Sequence, residues 1–262
     1  MTDDPVGVID SGMGGLSVLR HLITDMQQES FVYFADSSFC PYGQKEFKEI
    51  RQRLKKIVDF LIETYSVKTV VVACNTATAA SIDFLRESYT IPFVGMEPAI
   101  KPAALSTKSK VIGVLATEGT FNGRLFKQTR EKFTSGIKVN IQAGNGLVEL
   151  IESGITEGSE IEKLLIKYIS PMINENADLI VLGCTHFPFL QKTINKLFPQ
   201  IELIDPAPAV SKQTLNILSK YGILGNKNQK ETIFLTTGNT SQFDLFLSKQ
   251  MNISAKSKHV TI

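Results

Sequence analysis

The chain has 262 residues, with 28 lysines and arginines against 26 aspartates and glutamates, a net charge of +2. Its 43% hydrophobic and 21% charged content belongs to an ordinary globular chain rather than a disordered one, and the near-neutral balance excludes the basic footprint of a nucleic-acid binder. No apolar run reaches the ~18 residues needed to span a bilayer, and no basic segment precedes an apolar stretch at the start, so a cytoplasmic chain with no membrane partner is expected.

Val6–Asp10 reads as a strand, followed by a Gly12-Met13-Gly14-Gly15 turn and a helix starting near Leu16. The turn is not a dinucleotide fingerprint. Ser17 stands where G-x-G-x-x-G requires glycine, and Asp10 would repel a pyrophosphate. It reads instead as a tight turn able to present backbone N–H groups to a small anion. Phe31–Ala35 is the next strand. Phe47–Tyr65 follows as a helix, with Ile50, Leu54, Ile57, Val58 and Leu61 on one face. Thr69–Cys74 and Pro92–Met96 complete the strands of the first part. Thr69-Val70-Val71-Val72-Ala73 is apolar without alternation, as suits a parallel strand covered on both faces.

Lys110–Ala116, Lys138–Ala143, Leu179–Cys184 and Ile201–Asp205 read as the strands of the second part. Ala209–Lys220 follows as a helix, then a polar loop Gly225–Lys230, a strand Thr232–Thr237 and an amphipathic segment Ser241–Met251. The pattern repeats. Gly7-Val8-Ile9-Asp10-Ser11 lines up with Gly113-Val114-Leu115-Ala116-Thr117 at an offset of 106, and Cys74 falls on Cys184 at an offset of 110. The expected fold is α/β, with two similar lobes, each a mostly parallel sheet flanked by helices, and the active site in the cleft between them. With crossings at Glu97–Pro102 and Asp205–Pro208, residues 1–97 plus 208–262 make the first lobe and 98–207 the second.

Ligands of parallel α/β sheets bind beyond the carboxyl ends of the strands. Here those ends carry Asp10-Ser11, Asp36-Ser37, Cys74-Asn75-Thr76 and Cys184-Thr185-His186. The cysteines are three, Cys40, Cys74 and Cys184, with no C-x-x-C pair, so neither a disulfide framework nor a metal site is expected. Taken singly, Cys74 and Cys184 each read as core filler. At equivalent strand ends of two lobes they read as a pair of reagents, with the following helix starts favouring thiolate. Cys40, in the Ser37–Pro41 loop, reads as a cleft-wall or incidental thiol. His21 and His259 are assigned no role. His186 could relay a proton to its neighbouring thiol. Two facing thiols suit racemisation: one removes a proton from carbon and the other delivers one to the opposite face. Asn75, Thr76 and Thr185 are the candidate donors for the developing charge.

Together, Asp10-Ser11-Gly12-Met13-Gly14-Gly15-Leu16, Pro41-Tyr42-Gly43, Ala73-Cys74-Asn75-Thr76-Ala77 and Gly183-Cys184-Thr185-His186-Phe187-Pro188 resemble the glutamate racemases, of the aspartate/glutamate racemase superfamily. The resemblance runs over nearly the whole chain, to Thr236-Thr237-Gly238. It implies cofactor-free interconversion of L- and D-glutamate for peptidoglycan, a homodimer, and no cofactor or metal. It implies Cys74 and Cys184 as the acid/base thiols, with Asp10 and His186 assisting proton transfer, and Asp36 less firmly so. Asp10, Ser11, Pro41, Tyr42, Gly43, Asn75, Thr76, Thr185 and His186 map onto positions that hold substrate. Two segments depart from the family pattern. Ala143–Glu149 lacks the family's Cys-Pro pair and the proline after it, although Glu152 keeps an acidic position. Phe39-Cys40 stands where small or basic residues are usual.

Three alternatives remain open on the sequence. One is a racemase for aspartate or another acidic substrate, since paired thiols set the reaction and not the side-chain length. Another is a two-lobed carboxylate-binding protein with no chemistry. The third is a thiol hydrolase using Cys184 and His186, which leaves Cys74 redundant.

Overall fold

The computed structural model of the chain describes residues 2–226 and 231–262; residues 227–230 of the expected polar loop Gly225–Lys230 lie outside them. Among the described residues ten strands form two sheets: β1 (Val6–Asp10), β2 (Phe31–Ala35), β3 (Thr69–Val72), β4 (Phe93–Gly95), β5 (Val111–Ala116), β6 (Lys138–Ala143), β7 (Leu179–Gly183), β8 (Glu202–Ile204), β9 (Thr232–Thr236) and β10 (Lys258–His259). The first sheet runs β10-β9-β2-β1-β3-β4 and the second β6-β5-β7-β8, with every paired neighbour parallel. The segment β2-β1-β3-β4 therefore has the same order as β6-β5-β7-β8. The expected α/β fold of two similar lobes is the one observed.

Burial explains why these runs are strands. β1, β2, β3 and β7 have no exposed residue, because helices cover both faces of the sheets. Edge strand β6, by contrast, has no fully buried residue and carries Lys138, Asn140 and Gln142. The helix Phe47–Tyr65 buries Ile50, Leu54, Ile57, Val58 and Leu61 against the first sheet, as its periodicity required. Each such side chain contributes roughly 1.5–3 kcal/mol by leaving water.

Several strands are shorter than their apolar runs, for identifiable reasons. Ala73 N–H still bonds Ile9 O at 2.8 Å, but the chain then turns and Cys74 caps the next helix, Asn75–Ser88. Met96 N–H leaves the sheet to bond Thr78 Oγ1 at 2.9 Å. Lys110 lies at φ 60°, in the left-handed region, so β5 starts one residue later. The helix expected at Ala209–Lys220 starts at Ala207, with Pro206 and Pro208 accommodated in its first turn, where proline loses no hydrogen bond. It packs on the helix Leu16–Asp25, and Ser211 Oγ donates to Asp25 Oδ2 at 2.7 Å. The segment expected at Ser241–Met251 is a helix over Thr240–Phe246, capped by Asn239, that loosens into a π-turn over Leu247–Met251. Strand β10, too short and too polar to read in the sequence, pairs with β9. No helix among the described residues is long and apolar enough to cross a membrane.

Candidate active site

The carboxyl ends of β1, β3, β5 and β7 converge on a cleft of about 270 Å³. Ser11, Pro41, Tyr42, Gly43, Cys74, Asn75, Thr76, Cys184, Thr185 and His186 line it, together with Thr117 and Val148. It opens towards an outer chamber of about 600 Å³ that shares Pro41, Gly43, Thr117 and Val148 and adds Glu118 and Glu149 at its wall.

On one side, Cys74 follows β3 as the N-cap of the helix Asn75–Ser88. Its Sγ accepts the Ala77 N–H at 3.4 Å and lies 3.7 Å from Ser11 Oγ. Burial is the main influence on this thiol and pushes its pKa well up; the nearby Asp10 charge adds to this, and the Ala77 N–H opposes it. The helix start expected to favour a thiolate is thus present but outweighed, and Cys74 rests as a thiol.

On the other side, Cys184 follows β7. The chain passes through Thr185 and His186 into a 3₁₀ turn, Phe187–Leu190, before the helix Gln191–Leu197, so no α-helix starts directly at this thiol. Its partner is a side chain. His186 Nδ1 lies 3.7 Å from Cys184 Sγ, and His186 Nε2 lies 2.6 Å from Glu152 Oε1. Burial alone would lower the imidazole pKa, but hydrogen bonds to Cys184 and Glu152 carry it well above its ordinary value. Glu152 Oε1 also accepts the Met13 N–H at 2.6 Å. Part of the glycine turn therefore presents a backbone N–H to an anion, the chain's own carboxylate.

Asp10 does not line the cleft. It is fully buried behind Ser11, with Oδ2 accepting the Gly12 N–H at 3.0 Å and Oδ1 accepting the Thr185 hydroxyl at 3.2 Å. Burial raises its pKa to about 6, with the His186 charge opposing. Tyr42 lines the cleft, but its hydroxyl donates to Asp36 Oδ2 at 2.8 Å, so it supplies wall. Asp36 is buried outside the cleft lining, held by Arg53 through Nε at 2.8 Å and a second nitrogen at 2.6 Å, and by the Thr237 hydroxyl at 3.0 Å. Asn75 Nδ2 donates to Met96 O at 3.4 Å, while its buried Oδ1 has no partner among the described residues. Thr76 Oγ1 lies 2.7 Å from Thr117 Oγ1, a bond between the lobes. Thr117 was not singled out from the sequence, although the 106-residue offset places it opposite Ser11 and could have found it. Nothing in the pattern marked Val148.

Two like parallel sheets thus each set a cysteine at the edge of one cleft, beyond the carboxyl ends of their strands. The sequence matches the Asp/Glu/hydantoin racemase family over residues 6–214. The chain belongs to that family and is an isomerase acting on amino acids. It is 42% identical over 245 residues to a glutamate racemase of Herpetosiphon aurantiacus, covering 93% of this chain and 96% of that one. A glutamate racemase structure from Bacillus anthracis superposes with a TM-score of 0.88 at 30% identity, covering 100% and 99% of the two chains. One from Francisella tularensis, in complex with D-glutamate, does so with a TM-score of 0.84 at 28% identity, covering 100% and 98%.

Proposed function

We propose that the chain interconverts L- and D-glutamate by a two-base mechanism in which Cys74 and Cys184 act on opposite faces of Cα. The observation that carries the reading is that both thiols, from equivalent strand ends of the two sheets, line one cleft of about 270 Å³. One sulfur, as thiolate, takes the Cα proton; the other, as thiol, gives its proton to the opposite face, so one proton leaves carbon and one arrives. Each thiol has a carboxylate behind it. Asp10 is close enough for its charge to act on Cys74 and serves as the proton acceptor there. Glu152 holds His186, which passes protons to and from Cys184. Asn75 Oδ1, buried without a partner among the described residues, is an acceptor suited to the substrate ammonium. Thr76, Thr185 and the backbone beside them stabilise the charge that builds on the carboxylate as Cα is deprotonated. Two-thiol chemistry of this kind needs no cofactor.

Glutamate is preferred over aspartate because the relatives covering this chain almost end to end are named glutamate racemases, and one of the superposable structures holds D-glutamate. The same reading carries supply of D-glutamate for peptidoglycan, a cytoplasmic homodimer, and lobes divided at residues 97/98 and 207/208. Rescue of a D-glutamate auxotroph tests the cellular role, and sizing in solution tests the dimer.

The decisive measurement follows the Cα proton in deuterium oxide. The intact enzyme should exchange and invert glutamate and leave aspartate untouched; exchange of aspartate alone would overturn the substrate. Cys74→Ser and Cys184→Ser should each lose inversion by about 10²-fold or more. Each should still exchange the Cα proton of one enantiomer, a different one in each variant. If a single variant exchanges both enantiomers, the two-base reading is wrong.

A further inference from the structure

Cys40 lies outside the proposed chemistry, yet the fold brings it to the back of the site. Ligand atoms of Cys40, Glu152 and His186 all lie within 4.8 Å of one another. The three come from the loop after β2, the helix Leu147–Glu152 and the turn after β7, so no spacing in the sequence announces the group. We propose that Cys40, Glu152 and His186 form a binding site for a divalent cation of the zinc class, and that its occupation arrests the enzyme.

The donor set carries the assignment. A thiolate, an imidazole and a carboxylate are zinc's customary ligands, and three of them with an open fourth position is a standard zinc arrangement. Tetrahedral zinc with bonds of about 2.0–2.3 Å would place its ligand atoms roughly 3.3–3.6 Å apart. Glu152 and His186 already approach to 2.6 Å, and the remaining separations are no greater than 4.8 Å, so adjustments of about an ångström bring all three to bonding distance. An entry path exists, because Cys40 is half-buried in a surface loop and Glu152 keeps 16% of its side chain exposed.

The same geometry fixes the sign of the effect. Cys40 and Glu152 are not among the residues lining the cleft between the thiols, so a cation held there does not reach the substrate's reacting carbon. It does occupy His186, whose Nε2 faces Glu152 and whose Nδ1 faces Cys184. Metal on the nitrogen facing Glu152 leaves the ring's one proton fixed on Nδ1, so the imidazole can no longer take a proton from Cys184. Arrest of turnover rests on the racemase reading; binding of the cation does not.

The test is a titration of the metal-free full chain with zinc, read by calorimetry, and with cobalt, read by the sulfur-to-cobalt charge-transfer band. The intact protein should bind one equivalent and show the band. Cys40→Ser and Cys40→Ala should lose the band and bind zinc at least about 100-fold more weakly, while racemising as fast as the intact protein in the presence of a chelator. Zinc should inhibit the intact enzyme reversibly, and inhibit the Cys40 variants only at correspondingly higher concentration. Unchanged affinity in both variants would overturn the site. Binding that depends on Cys40 but leaves turnover unaffected would overturn the arrest. A metal-free enzyme with no racemase activity would instead sink the functional reading, leaving the binding result intact.

Discussion

At the residue scale, Asp10 is the group with the most to reveal. Its carboxyl pKa rises from 3.8 to about 6 because it is buried, so the folded chain holds this proton more tightly than the unfolded chain does. A raised carboxyl stabilises the fold at low pH, and that contribution is lost as the pH climbs from about 4 through about 6. Asp10→Asn removes the buried charge. Its melting temperature should therefore gain on that of the intact protein as the pH rises through that window, and a pH-independent difference would refute the account. The carboxylate is also the form that can take a proton from Cys74, so kcat/KM should fall below about pH 6, with that limb missing in Asp10→Asn. His186→Asn should lower kcat by about 10²–10⁴-fold with a smaller change in KM, the signature of a lost proton relay. Much of this site was legible residue by residue, because cysteines, glycines and hydroxyls at strand ends are conspicuous. What was not legible is direction. No pattern shows that the Tyr42 hydroxyl turns to Asp36, or that Asp10 stands behind Ser11 and not beside the substrate. Those outcomes depend on buried partners distant in the chain.

At the scale of elements, the turn Gly12–Gly15 matters through what it admits. A Cβ at Gly12 would collide with the Glu152 carboxylate, and one at Gly14 with the His186 ring; at Gly15 it would come within 2.6 Å of Asp10 Cβ. The turn is thus bare where the second sheet's machinery presses against the first, and the anion its Met13 N–H holds is the chain's own Glu152. Gly14→Ala should push the imidazole aside and reduce turnover by about 10- to 100-fold while substrate still binds. Measured kinetics equal to the intact enzyme would show that the ring has room to move. The strands and the long helix Phe47–Tyr65 were readable because burial on both faces, or on one stripe, leaves a plain apolar signature. Strand ends were harder. They depend on single hydrogen bonds such as Met96 to Thr78 Oγ1, which the local sequence does not encode.

At the scale of the whole molecule, the matching order of the two sheets is what brings equivalent ends together. The internal repeat foretold it, since two offsets of 106 and 110 residues already paired Ser11 with Thr117 and Cys74 with Cys184. The repeat could not say that β10 would extend the first sheet, because two exposed polar residues carry no periodicity. Asp36 anchors this half of the structure, joining the end of β2 to Tyr42, to the helix bearing Arg53 and to the end of β9 through Thr237. Arg53→Leu leaves that carboxylate buried without its cation and should cost about 3–5 kcal/mol in urea unfolding. Several contacts between the halves lie at the site itself: Ser17 to the Thr185 carbonyl at 2.9 Å, Met13 to Glu152 and Thr76 to Thr117. A ligand that completes them should hold the halves together. Saturating D-glutamate, at 100 times its Kd, should add about 2.7 kcal/mol to stability and slow amide exchange at Met13.

The chain passes from the first sheet to the second after β4 and returns before β9, so the sheets are joined at two places. A body tethered at one point can swing and spin; tethered at two, it can only turn like a door about the line through both. Two crossings instead of one keep the carboxyl ends of both sheets turned to the same cleft, and with them Cys74 and Cys184.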